Sequence, residues 1–274
     1  MTCDSSNVDS QKKLLEKCIE EVRSWSTSNM LKLNDSKTEF LVIGSKFARN
    51  KPEVDSIVIG EETVHAVSAA RNIGVIMDSK LTLADHVNSV CKSSYAQLRN
   101  ISQIRKYLTQ EATATLVHSL VTSRLDNMNA LLIGQPDNVI SKLQRIQNHA
   151  AKVVVQKKKH DHVTPILQSL HWLPVHFRIQ YKLLLITHKC LNGEAPVYLV
   201  SRLQRYVPGR SLRSADQHLL VERKANLKSY GERAFSVAAP KLWNQLPLDL
   251  RRCESLHGFK SQLKTFLFKK AFNV

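Results

Sequence analysis

Apolar residues recur at steps of three and four through most of the chain, the spacing of one helical face. Leu14, Leu15, Cys18, Ile19, Val22 and Trp25 predict an amphipathic helix that is capped by Asp9 or Ser10 and ends near Ser28. The pattern then changes. Phe40 to Ile43 is a short apolar run closed by Gly44, the signature of a buried strand. Ser56–Ile59 and Thr63–Val67 flank Gly60-Glu61-Glu62 and predict a hairpin, and Asn72–Met77 predicts one further strand.

After residue 80 the helical period returns. Thr82 heads a helix with Leu83, Val87, Val90, Cys91, Leu98 and Ile101 inward. Thr109 heads the next through Ala112, Leu116, Leu120 and Val121. Pro136-Asp137-Asn138 opens a helix carrying Val139, Leu143, Ile146, Ala150 and Val154. Pro165 opens a short helix, and Pro174 precedes a long one ended by Asn192-Gly193. His218–Glu222 and Phe235–Ala238 read as short strands. Ser255 caps a last helix through Phe259, Leu263, Phe266 and Leu267. The expected class is α+β, mostly α. Three regions are expected: 1–80 mixed, 81–200 helical and basic, and 201–274 mixed with a terminal helix.

Composition narrows the class. The chain has 274 residues, 43% hydrophobic and 23% charged, which is globular and excludes a wholly disordered or fibrous chain. Residues 1–100 hold 13 basic and 13 acidic side chains. Residues 101–274 hold 27 and 10, so the whole net charge of +17 lies there. Such a field attracts polyanions, either nucleic acid or an anionic surface. Cys3, Cys18, Cys91, Cys190 and Cys253 are odd in number, with no C-x-x-C, so neither a disulfide framework nor a zinc ribbon is expected. Met1–Ser10 is polar, which argues against a signal peptide, and the apolar run Tyr181–Ile186 is too short to cross a bilayer. The expectation is an intracellular protein, cytoplasmic or nuclear, without a membrane partner.

Catalytic signatures are missing. The sequence has no phosphate-binding glycine loop and no G-x-S-x-G elbow. Glu20-Glu21 and Glu61-Glu62 sit on an outer helix face and in a turn. His160, His162, His171, His176 and the His188/Cys190 pair lack the short regular spacing of a zinc site. No catalytic residue, metal or cofactor is expected.

The cations do show order. On a wheel of 100° per residue, Lys142, Arg145, His149 and Lys152 fall near 0°, 300°, 340° and 280°, whereas Val139, Leu143, Ile146 and Ala150 fall at about 40° to 100°. One helix thus has an apolar face and a separate cationic stripe, which Lys157, Lys158 and Lys159 extend. Regularly spaced cations release condensed counterions from nucleic acid, so these seven side chains are candidate phosphate contacts. Arg178 and Lys182, on the helix after Pro174, join them, with the alternative that they simply keep an outer face wet. Trp172 and Trp243, each beside leucines and a proline, read as core anchors before base-stacking platforms.

Several blocks together carry a resemblance. They are Trp25-Ser-Thr-Ser-Asn29-Met-Leu-Lys-Leu-Asn34-Asp-Ser-Lys37-Thr38-Glu39, Ser123-Arg-Leu-Asp126, Leu143-Gln-Arg-Ile-Gln-Asn148-His-Ala-Ala151, Leu170-His-Trp-Leu-Pro174-Val and Arg178-Ile. Ala195-Pro196-Val-Tyr198-Leu, Leu212-Arg213-Ser214, Gly231-Glu-Arg-Ala-Phe235 and Pro240-Lys-Leu-Trp243-Asn244-Gln-Leu-Pro247 continue it. In this order the chain resembles the C-terminal part of reverse transcriptases of LINE-class (non-LTR, jockey-like) retrotransposons. It departs at Asn127-Met128, where the family tends to have Tyr-Cys, and at Gln135, where it tends to have Leu.

The resemblance implies a partial RNA-directed DNA polymerase. In that family an aspartate pair in a Y/F-A-D-D turn, with a third aspartate, holds two catalytic metal ions. The pair is expected to precede the Trp25 helix. Asp4, followed by Ser5 and Ser6, does not match it, so no catalytic residue carries over. Residues 1–80 are then a palm-end and primer-grip-like remnant, and the later helices are a thumb-like region that holds RNA or DNA through phosphates. The alternative is a domesticated or pseudogene-like module serving a protein partner, with no enzymatic role.

Overall fold

Helix dominates the structure, a computed structural model that describes residues 7–44, 54–60, 62–209, 217–225, 227 and 230–274. It is 59% helical and 9% strand, an α+β protein that is mostly α. Cys3, Asp4, Ser5, Ser6, Glu61 and Leu212-Arg213-Ser214 lie outside the described residues. The chain forms two compact units, Met1–Asn88 and Ser89–Val274.

The first unit opens with α1 (Val8–Ser28), which packs on a small sheet. β2 (Ser56–Ile59) and β3 (Glu62–Val67) form the expected antiparallel hairpin, with Gly60 at φ 63 making the turn. Ile57 and Ile59 are buried, while Val58 points out between them, the strand period of two. β1 is shorter than the sequence suggests: only Phe40–Leu41 pair, parallel to Ala66–Val67, and Ile43 is exposed.

The expected strand Asn72–Met77 is instead a second hairpin, β4 (Ala69–Asn72) with β5 (Val75–Asp78). Ile73 at φ 46 and Gly74 at φ 82 form its turn, and two positive φ values match the twist of paired strands. Asp78 closes the unit: its carboxylate accepts the backbone N–H groups of Lys80, Thr82 and Leu83 at 3.1, 3.0 and 2.7 Å. Partial burial pushes its pKa up, but these donors pull harder, and the net position is below the usual carboxylate value. α1 has no side-chain cap at its start, so neither Asp9 nor Ser10 plays the part expected of it.

The unit boundary falls within α2 (Ala84–Ile104). In the second unit follow α3 (Gln110–Val117), α4 (Ser123–Asp126), α5 (Asp137–Val154), α6 (Val163–Ser169), α7 (Val175–Leu191), α8 (Val197–Val200), α9 (Phe235–Trp243), α10 (Leu248–Arg252) and α11 (Leu256–Phe272). A π-helical turn, His118–Thr122, joins α3 to α4. The Thr109 and Ser255 hydroxyls accept the N–H groups of Ala112 and Gly258, as their positions predict. Pro136, Pro174, Pro196 and Pro247 sit immediately before their helices, where a missing N–H costs nothing.

Residues 201–274 share a core with α7: Leu173, Leu184, Trp243, Leu246, Leu250, Phe259, Leu263 and Leu267 pack together. Trp172 and Trp243 are 6% and 2% exposed, core anchors as read from sequence. Phe235–Ala238 begins a helix and is not a strand, because its small buried side chains Ala238 and Ala239 pack against α7. His218–Glu222 contributes only an isolated bridge, Arg205 to Leu220. The other edge of Leu220 is served by a side chain: Asn244 donates to its carbonyl and accepts its N–H, both at 2.9 Å.

Candidate nucleic-acid interface

α5 buries Leu143, Ile146, Gln147, Ala150, Ala151 and Val154, so the predicted apolar face is the inner one. Its polar inner residues hold α7 in place. Gln147 donates to the Leu173 carbonyl at 2.8 Å, and Gln144 accepts the Val175 N–H at 2.8 Å, a cap for the first turn of α7. Gln144 also donates to Gln147 and Asn148. The cationic stripe is thereby fixed outward.

That stripe forms one wall of an open cleft of about 660 Å³ between α5 and α2. Arg145, His149 and Lys152 line it from α5, Tyr95 and Ser102 from α2, and Lys157 and Lys159 from the segment after α5. No carboxylate is among the lining side chains. The three lysines do not prolong the helical stripe as expected. α5 ends at Val154, and Gln156 takes a left-handed φ of 54, so the chain reverses. Lys152 donates its ammonium to the Lys159 carbonyl at 2.5 Å, and the Asp161 carboxylate accepts the Lys158 N–H at 2.6 Å. Lys157 and Lys159 are folded back onto the cleft by this turn.

Arg105 was not singled out by the sequence, yet it builds the cleft. Its guanidinium donates to the carbonyls of Val153, Val154 and Leu108 at 2.9, 2.8 and 2.7 Å, closing the C-terminal end of α5. Tyr95 was missed too. Its ring lies 6.0 Å from His149, tilted by 45°, and is open to solvent. Partial burial, with Lys152 adding to it, lowers the His149 pKa, so the ring is neutral at physiological pH. Cys91, on α2, is half-buried. Burial raises its thiol pKa, and the nearby charges of Lys142 and Arg145 only partly offset this.

The structure therefore brings together Arg145, His149, Lys152, Lys157 and Lys159. Lys142 and Lys158 lie outside the cleft lining. Arg178 and Lys182 line a different cavity on α7, where Arg178 makes a two-pronged pair with Asp126, Nε to Oδ1 at 2.8 Å. Arg178 is thus committed to a protein carboxylate and does not continue the α5 stripe. Among the described residues, no group of three or more His, Cys, Asp or Glu is arranged to hold a metal ion, and no helix is long and apolar enough to cross a membrane.

Comparison with family models, with curated proteins and with solved structures finds no match for this chain.

Proposed function

We propose that the second unit binds nucleic acid through phosphates, and that the chain is a fragment of a LINE-class reverse transcriptase without its catalytic aspartates. The observation that carries the binding reading is the α5 cleft, whose walls hold the side chains of Arg145, Lys152, Lys157 and Lys159 with no carboxylate among the lining residues. The exposed Tyr95 ring beside His149 adds a flat surface for a base, which tolerates any sequence.

Binding is non-specific and weak, ~10⁻⁴–10⁻⁶ M at physiological salt. If Arg145, Lys152, Lys157 and Lys159 each meet one phosphate, log K falls against log salt with a slope of roughly −2.8 to −3.6. Affinity then drops about 50- to 150-fold between about 50 and 200 mM salt. Changing Arg145, Lys157 and Lys159 together to Gln leaves one contact and a loss of only about threefold. A wild-type slope near zero, or a variant with the wild-type slope, refutes the cleft as the binding site. The chain alone does not extend a primer. Magnesium-dependent nucleotide incorporation by the purified chain contradicts the fragment reading.

One observation favours a protein partner for the first unit. Leu14, Cys18, Val22 and Trp25 form an apolar ridge on α1 that faces solvent, with Trp25 63% exposed. A protein captured after nuclease treatment, and lost on changing Val22 and Trp25 to Ser, supports that reading.

A further inference from the structure

The second cavity, of about 430 Å³, lies on the α7 side of the unit and shares no lining residue with the α5 cleft. Its charge is specific. Lys182 and Lys264 reach it from α7 and α11, and both are exposed. The Asp126 carboxylate in its wall is already neutralised by the Arg178 fork and by the Asn129 amide, which donates to it at 3.2 Å. Two ammonium groups are left facing the space, the donor set for a dianion. His118 and His171 also line it.

A second observation concerns Asn129, which lines the cavity, is 4% exposed and has no hydrogen-bond partner for Oδ1. An orphaned buried acceptor carries a standing penalty that a ligand N–H or O–H relieves. The rest of the wall comes from Leu170, Trp172, Leu173 and Leu185 with the Tyr181 ring, and the His118 ring packs on Trp172 with centroids 5.1 Å apart. His118 stands at the start of the π-helical turn, a distortion found disproportionately at functional sites.

We propose that this cavity binds a phosphomonoester that also carries a hydrogen-bond donor and an apolar body, in chemical terms a nucleoside monophosphate. Lys182 and Lys264 hold the phosphate, the apolar wall holds the base or sugar, and a ligand N–H or O–H satisfies Asn129. The site does not depend on the α5 cleft reading, since the two share no residue. Burial, helped by the charges of Arg178 and Lys264, lowers the His118 pKa against the pull of Asp126, so the ring is neutral before a ligand arrives. A bound phosphate beside it raises that value.

The test is titration of the full chain with adenosine 5′-monophosphate, adenosine and inorganic phosphate, followed by calorimetry and by the His118 ring signals in NMR. The monophosphate is expected to bind saturably, more tightly than either comparator, and to raise the His118 titration midpoint. Changing Lys182 and Lys264 together to Gln weakens it about tenfold or more, the worth of losing a charge-assisted hydrogen bond. Both side chains are exposed, so the thermal midpoint of the variant should match the wild type. The Arg145/Lys157/Lys159→Gln variant keeps wild-type affinity for the monophosphate. Adenosine binding as tightly overturns the phosphate assignment, and inorganic phosphate binding as tightly overturns the nucleotide assignment. No saturation at millimolar ligand, or affinity lost only in the α5 variant, overturns the site.

Discussion

Two buried glutamines are expected to respond with opposite signs to the same substitution. Gln135 is 9% exposed, and its buried Nε2 has no hydrogen-bond partner. Gln147 is equally enclosed, but its Nε2 donates to the Leu173 carbonyl at 2.8 Å and its Oε1 accepts from Gln144 at 3.0 Å. Gln135→Leu removes a desolvated, unpaired Nε2 group, a penalty of about 1–3 kcal/mol. The backbone N–H of residue 135 keeps its bond to the Leu132 carbonyl. Gln147→Leu does the reverse: it strands the Leu173 carbonyl beside a buried chain and costs a similar amount. For a unit of this length each kcal/mol moves the thermal midpoint by about 2–4 °C. The expected outcome is a rise of roughly 2–12 °C for Gln135→Leu and a comparable fall for Gln147→Leu, measured by scanning calorimetry. A lower midpoint for Gln135→Leu, or no change for Gln147→Leu, refutes the claim that partners decide the sign.

Asp78→Ala removes the acceptor of three backbone N–H groups and should destabilise the first unit by about 1–2 kcal/mol, read as an earlier unfolding transition of that unit alone. Gly134→Ala forces a side chain into a φ of 67 and sets its Cβ 2.8 Å from Cγ of Arg233, so a loss of about 1–2 kcal/mol is expected in a denaturant titration. The folded pKa values of His86, His118 and His149 are all lowered, chiefly by burial, so the unfolded chain takes up protons first as pH falls. Stability is therefore full above the ordinary histidine value near 6.5 and declines as pH falls below it. Replacing His118 and His149 with Asn should flatten that decline for the second unit.

Long periodic segments were the legible part of the fold. α5 and α11 follow their apolar repeats, and Thr109 and Ser255 cap as their chemistry dictates. The errors arose where a tertiary partner decides conformation. Ile73 is apolar and β-branched, which hides the turn that Gly74 completes. Phe235-Ser-Val reads as strand until the buried small residues after it pack on α7. Leu220 has a strand-like environment supplied by the Asn244 side chain, which no periodicity announces.

The site divides the same way. Arg145, His149 and Lys152 share a helix face and were visible as a stripe. Lys157 and Lys159 reach the cleft only because the chain reverses at Gln156. Arg105 and Tyr95 come from distant sequence, and nothing in their local pattern marks them. Arg178 looks like a candidate phosphate contact in the sequence because its partner, Asp126, lies 52 residues away.

The most direct test of the central claim is photo-cross-linking of the intact chain to a single-stranded RNA at low salt, followed by identification of the modified peptides. Adducts are predicted on the peptides that hold Tyr95, Arg145–Lys152 and Lys157–Lys159, and they should fade as salt rises. Cross-links confined to other surfaces, such as α11, or none at all, would contradict the account.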